Sequence, residues 1–170
     1  LREFTGEGKD AVTIRHLITH TSGLRPGFSL RPEWTGTVEA IRIATAEKLA
    51  TQPGEKIVYS DTGPILLGEI VRRVSGKPLD QFLQSELYGP LRMNDTGFNP
   101  PRAKLSRVAP TEVENGVPVR GVVHDPRARR MEGVAGHAGL FTTAGGLARY
   151  ARMMLNLGEL DGVRVFKPET

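Results

Sequence analysis

Apolar residues recur at helical spacing in five stretches of this chain, and turn-forming residues separate the stretches. Ile14, Leu17 and Ile18 share one face at i, i+3, i+4 spacing. Thr13 stands before them as an N-cap, because its hydroxyl can accept a free backbone N–H, and Gly23 closes the stretch. Residues 25 to 36 carry Pro26, Gly27, Pro32 and Gly36 and read as loop. Thr37 caps a second helix running to about Thr51, with Val38, Ile41, Ala44 and Leu49 inward. Pro53-Gly54 is a turn, and Ile57-Val58-Tyr59 a short extended piece. A third helix starts between Thr62 and Pro64, buries Leu66, Leu67, Ile70, Val71 and Val74, and ends at Gly76. Pro78 opens a fourth, with Leu79, Phe82, Leu83 and Leu87 inward, which stops near Gly89-Pro90.

The periodicity then fails. Pro100, Pro101, Pro110, Pro118 and Pro126 break any long element between residues 94 and 136, where only Val117 to Val123 has the character of a strand or hairpin arm. Gly133, Gly136 and Gly139 mark a tightly turned loop. Thr142 or Thr143 caps a last helix with Leu147, Tyr150, Ala151, Met154 and Leu155 inward, closed by Gly158. Asp161-Gly162 is a hairpin turn between two short strands. The pattern predicts a mainly α unit with a few short strands, a single unit over residues 1–170, without internal repeats. Leu1 at one end, and Pro168-Glu169 resembling the first turn of a helix at the other, make us expect a piece of a longer protein, truncated at both ends.

Composition narrows the function classes. A hydrophobic share of 38% and a charged share of 25% in 170 residues fit an ordinary soluble domain. No apolar run approaches a membrane span. The net charge of +4 is spread thinly, with Arg127, Arg129 and Arg130 the densest cluster, read as solvated surface. A nucleic-acid binder would show a longer basic stripe with aromatics between, so no nucleic-acid partner is expected. The absence of cysteine excludes disulfides, Cys-ligated zinc and a thiol nucleophile.

Four strings carry the candidate chemistry. His16 and His20 are four apart in Val12-Thr-Ile-Arg-His-Leu-Ile-Thr-His-Thr-Ser-Gly-Leu24, but without a Glu between and a third ligand they do not make a zinc motif. Tyr59-Ser60-Asp61 places a phenol and a carboxylate just before a helix N-terminus, where a carboxylate can also serve the helix start alone. His124-Asp125 and His137 are a possible acid–base or metal group, with hydrogen-bonded loop structure the plainer reading. Gly133 to Thr143 is a glycine-rich loop leading into the last helix.

Taken in order, these strings resemble the serine β-lactamase and penicillin-binding protein family, in particular class C-type β-lactamases and related esterases. The Val12–Leu24 string is similar to that family's Leu-Leu-Thr-His-Thr-Ser-Gly-Leu segment, which is structural there, so Ser22 is not expected to be a nucleophile. Pro53 to Gly68 is similar to the setting of the family's second motif, Tyr-x-Asn, with Asp61 in place of the Asn. The resemblance implies that the parent is an α+β protein of the β-lactamase/transpeptidase type. It implies catalytic roles for Tyr59 and Asp61, with the phenol helping to activate a serine. A phenol titrates near ~10 and needs neighbouring cations to act as a base at neutral pH. An ionised Asp accepts hydrogen bonds but cannot donate one as Asn does. His137-Ala138-Gly139 superficially matches the third motif, Lys/His-x-Gly, but leads into a helix instead of lying on a late strand. It is better matched to the loop before that motif, which makes His137, Gly139, Leu140 and Phe141 substrate-binding candidates. Gly146 stands where the family often has Asp.

The family's nucleophile, Ser-x-x-Lys, is absent. The residues three after Ser22, Ser29, Ser60, Ser75, Ser85 and Ser106 are Arg25, Pro32, Gly63, Pro78, Tyr88 and Ala109. The resemblance therefore implies part of a serine hydrolase acting through an acyl-enzyme on β-lactams, D-alanyl peptides or small esters. The chain alone is expected to be inactive, and the alternative is a non-catalytic binding module on the same scaffold. No cofactor and no metal are implied. The partner is a small-molecule substrate, the location periplasmic or secreted by resemblance, and apolar helix faces without a sheet to cover them favour self-association.

Overall fold

The Thr13 hydroxyl caps α1 (Ile14–Ile18) as its position requires, accepting from the His16 N–H at 3.2 Å. His16 returns the bond through Nδ1, which accepts from the Thr13 N–H at 3.3 Å, a capping box closed by a histidine in place of the usual Glu. The computed structural model describes residues 1–170. Helix α2 (Thr37–Ala46) starts behind Gly36 and ends five residues earlier than the periodicity predicts. The buried Lys9 ammonium donates to the Thr45 carbonyl at 2.7 Å, a cation at the helix C-terminus, and the chain beyond turns extended so that the Ala50 N–H reaches the Gly23 carbonyl at 2.7 Å. Leu49 therefore packs from a loop.

Helix α3 (Thr62–Ser75) is the axis of the unit, and α1, α2 and α4 (Leu79–Leu83) all pack on it. Gly76 closes it in the left-handed region, as expected. Helix α4 runs on as a π-type turn, Gln84–Tyr88. The main core gathers Leu17, Leu24, Phe28, Trp34, Ile41, Ile65 and Leu66 with Met131 and Ala135. A second, smaller core joins Tyr88, Leu91 and Met93 to Met153 and Leu160.

The stretch expected to be irregular is partly ordered. Strand β1 (Gly97–Phe98) precedes a 3-10 segment, Arg102–Arg107. Strands β2 (Pro110–Glu114) and β3 (Val117–Arg120) form an antiparallel hairpin turning at Asn115-Gly116, both at positive φ. Asn-Gly is the preferred pair for that turn, a local signal that outweighs the neighbouring prolines. Helix α5 (Pro126–Arg130) begins with an Asp cap and Pro at its first position. Strand β4 (Leu140–Phe141) pairs antiparallel with β1. Helix α6 (Ala144–Leu155) is capped by Thr143, and β5 (Glu159–Leu160) and β6 (Val163–Arg164) form the hairpin expected around Asp161-Gly162.

The helix faces need correction. Ile14 and Ile18 of α1, Val38 of α2, Val74 of α3 and Leu147, Ala151, Met154 and Leu155 of α6 are exposed. Helix α6 instead buries Met153 and Gly146. Only 30 of 170 residues are buried, so these helices keep apolar faces that nothing in the chain covers. Gly146 is also explained by packing. A Cβ there would stand 2.8 Å from the hydroxyls of Thr96 and Thr142, which bond each other at 2.7 Å between the segments flanking the β1–β4 pair.

Candidate functional site

Residues 20 to 26 form a cradle for Tyr59-Ser60-Asp61. The Val58 N–H donates to the His20 carbonyl and the Asp61 N–H to the Pro26 carbonyl, both at 2.8 Å. The Ser60 N–H donates to His20 Nδ1 at 3.3 Å, and the buried Ser60 hydroxyl to the Arg25 carbonyl at 2.6 Å. This is the work of His20, in the Thr-His-Thr-Ser-Gly-Leu segment, and of Arg25 and Pro26 just beyond it. The segment is a scaffold, and Ser22 is buried within it. The arrangement leaves Tyr59 outward, 68% exposed, with its ring 4.7 Å from that of His20.

Asp61 stands at the N-cap of α3 but does not cap it. Its backbone is already helical and its carboxylate takes no helix N–H, unlike Thr13, Asp125 and Thr143, which are extended and do. Its Oδ2 lies 3.6 Å from a guanidinium nitrogen of Arg127 on α5. The two arginines that follow are likewise turned inward: the Arg129 side chain donates to the Val123 carbonyl at 2.6 Å and the Arg130 side chain to the Leu30 carbonyl at 2.9 Å. The cluster read as solvated surface thus binds loops together.

His137 is expected on the cleft wall, but its side chain is only 2% exposed and turns inward. Nε2 lies 2.8 Å from Asp125 Oδ1, the atom that also accepts from the Ala128 N–H at 2.8 Å to cap α5. The other ring nitrogen, Nδ1, is buried without a partner. Burial opposes ionisation of Asp125, but the bonds from the Ala128 N–H and the His137 ring outweigh it, and the carboxyl falls below its ordinary value. His124 does not join the pair; it is exposed and faces Glu112. Asp61 takes its place, with ligating atoms of Asp61, Asp125 and His137 within 4.8 Å of one another. Two carboxylates and an imidazole are donors a divalent cation accepts, but the hydrogen bond ties His137 to Asp125, and Arg127 supplies the positive charge beside Asp61.

Gly139, Leu140 and Phe141 follow His137 along the loop, and Leu140 lines a smaller cavity together with it. With Thr142 and Thr143 they line a cavity of about 690 Å³ that Lys104, Arg107 and His124 also line. Arg107 and then Lys104 bond Asp95 at its edge and hold that carboxyl down at about 2. Tyr59 and Asp61 line none of the five principal cavities. The structure thus joins His137 to Asp61 and leaves Tyr59 on an open face. Sequence reasoning missed Arg127 and the His20–Pro26 cradle; the Asp125-Pro126 helix start was the local signal for α5.

The profile of the Beta-lactamase family matches residues 1–167. An N-acetylmuramyl-L-alanine amidase of Bacillus subtilis is 37% identical over 187 residues, covering 96% of this chain and 42% of the relative. A protein of Escherichia coli K12 with the provisional name D-alanyl-D-alanine carboxypeptidase is 34% identical, covering 98% of this chain and 44% of its own length. The fold is similar to that of a penicillin-binding protein homolog from Caulobacter crescentus, with a TM-score of 0.71 and 25% identity over 99% of this chain and 50% of the other. The octameric penicillin-binding protein homologue from Pyrococcus abyssi matches with a TM-score of 0.67 and 24% identity, over 93% and 37%. The chain thus spans less than half the length of the curated relatives it matches. By profile and by identity, the chain belongs to the Beta-lactamase family.

Proposed function

We propose that this chain is the second-motif wall of a serine hydrolase whose nucleophile lies elsewhere in the natural protein. The enzyme acylates its serine on a β-lactam, a D-alanyl peptide or a small ester and releases the acyl group with water. The relatives' names, an amidase and a carboxypeptidase of cell-wall type, support an amide substrate and a periplasmic or secreted location. The observation that carries the reading is the presentation of Tyr59. Its backbone neighbours are pinned to residues 20 to 26 while its phenol stands free at the start of α3. Fixed backbone with an unengaged phenol suits a group that moves a proton to or from a reacting serine. Asp61 is the organising neighbour, and Gly139, Leu140 and Phe141 form the substrate wall. His137 acts from behind, through Asp125. No cofactor is required.

The test is acylation of the full-length natural protein by a fluorescent penicillin and by a chromogenic ester. Tyr59→Phe is expected to slow acylation about 10²–10⁴-fold, the usual contribution of general acid–base catalysis, without changing thermal stability. Wild-type rates in Tyr59→Phe would overturn the reading. The 170-residue chain alone, which contains no Ser-x-x-Lys, is expected to remain unlabelled.

A further inference from the structure

We infer that Arg127 is the positioning residue of the second motif, holding the Asp61 carboxylate in place at the start of α3 so that an Asp–Arg pair serves where the resemblance expects a lone Asn. The inference rests on the proposed function and adds a residue to it.

Asp61 is free of helix work. It lies at an N-cap position without capping, so its carboxylate is oriented by something else. Its cationic neighbour is Arg127, at 3.6 Å, and both side chains are 21% exposed. Arg127 is itself held on several sides. Its Nε donates to the Phe28 carbonyl at 2.9 Å, and its guanidinium lies 5.7 Å from the centre of the Phe28 ring. Gly27 leaves the space it occupies, because a Cβ there would stand 2.7 Å from Cζ. The helix that carries Arg127 is one turn long and is started by Asp125, which also anchors the 137 loop through His137. Asp61, Arg127, Asp125 and His137 therefore join the beginning of α3, the helix α5 and the glycine-rich loop in one array.

The chemistry explains the exchange. An Asn offers a donor and an acceptor from one planar group, whereas a carboxylate offers acceptors alone. A second carboxylate, Asp125, stands close to Asp61, so without a guanidinium two like charges would face each other. Arg127 supplies the opposing charge, from 3.6 Å, on a planar guanidinium whose Nε is fixed by the Phe28 carbonyl in a way a lysine does not reproduce.

The experiment measures acylation of the full-length natural protein by a fluorescent penicillin, resolving the limiting rate from the half-saturating concentration. Arg127→Gln is expected to lower the limiting rate about tenfold or more, since misplacement of a site group by a fraction of an ångström suffices for that. Half-saturation changes less than about twofold, and Arg127→Lys recovers part of the rate by restoring the charge without the fork. In an Asp61→Asn background the same Arg127→Gln change costs less than about twofold, because a neutral amide beside Asp125 needs no opposing charge. Equal losses in both backgrounds are what an arginine needed only for folding would give, and they overturn the inference. So does loss of acylation on EDTA treatment that zinc restores, which would assign the Asp61–Asp125–His137 donors to a cation. If Arg127→Gln does not fold, Gly27→Ala carries the test, since it deletes no hydrogen-bonding group and only crowds the guanidinium. It must show the same dependence on Asp61. A wild-type protein that is not labelled at all overturns the proposed function and this inference with it, before any variant is read.

Discussion

Replacing Asp125 by Ala removes two interactions made by one oxygen. The Ala128 N–H loses its acceptor, which as a helix cap is worth about 1 kcal/mol. His137 loses the partner of Nε2 while its side chain stays buried and its Nδ1 is already without one. Leaving such a buried polar group unpaired costs about 1–3 kcal/mol. The total for Asp125→Ala is therefore about 2–4 kcal/mol. At about 2–4 °C per kcal/mol for a chain of this size, the melting temperature falls by roughly 4–16 °C. Urea denaturation at neutral pH, with His137→Ala and the double variant completing a cycle, isolates the pair. Residues that share a hydrogen bond couple, so the double variant is expected to be less destabilised than the sum of the single ones by about 1 kcal/mol or more. Additivity within about 0.5 kcal/mol would refute the reasoning, since it would mean that the 2.8 Å contact does not hold the loop. The acid dependence gives a second check. The Asp125 carboxyl lies below its ordinary value of about 3.9. Its contribution is complete above that value and is lost as the pH falls through the lowered one, so the gap between wild type and Asp125→Ala must narrow below about pH 4.

Two further outcomes follow from burial and charge. Met153→Ala empties the second core and is expected to cost about 2–5 kcal/mol in urea denaturation, whereas Leu155→Ala, two residues on and 82% exposed, stays within about 0.5 kcal/mol in the 170-residue chain. Asp95 is expected to titrate at about 2 by carboxyl-detected NMR, and Arg107→Gln to return it toward the ordinary range, because the Arg107 hydrogen bond is the largest cause of its shift.

The helices legible in the sequence are those whose signals are local. Thr13, Thr143 and Gly76 act at single chain positions, and each sits where its chemistry predicts. The hairpin at Asp161-Gly162 was legible for the same reason, and the one at Asn115-Gly116 was there to be read. The Tyr59-Ser60-Asp61 string and the 137–141 loop could likewise be picked out as site candidates, because short strings in a fixed order are a property of the chain.

Tertiary structure alone decided which face of each helix is covered and what each polar side chain touches. Periodicity finds an apolar face but not its partner, so Ile14, Leu147 and Leu155 look like core and are exposed, while Met153 is buried by β5 and the Tyr88 turn. Burial depends on surfaces brought together from distant positions, and sequence spacing carries no information on that distance. The same reason hid Arg127 among three arginines that looked solvated. Its meeting with Asp61 spans 66 residues of chain and exists only because Phe28, Gly27 and the capped turn at Asp125 fix where its guanidinium can lie.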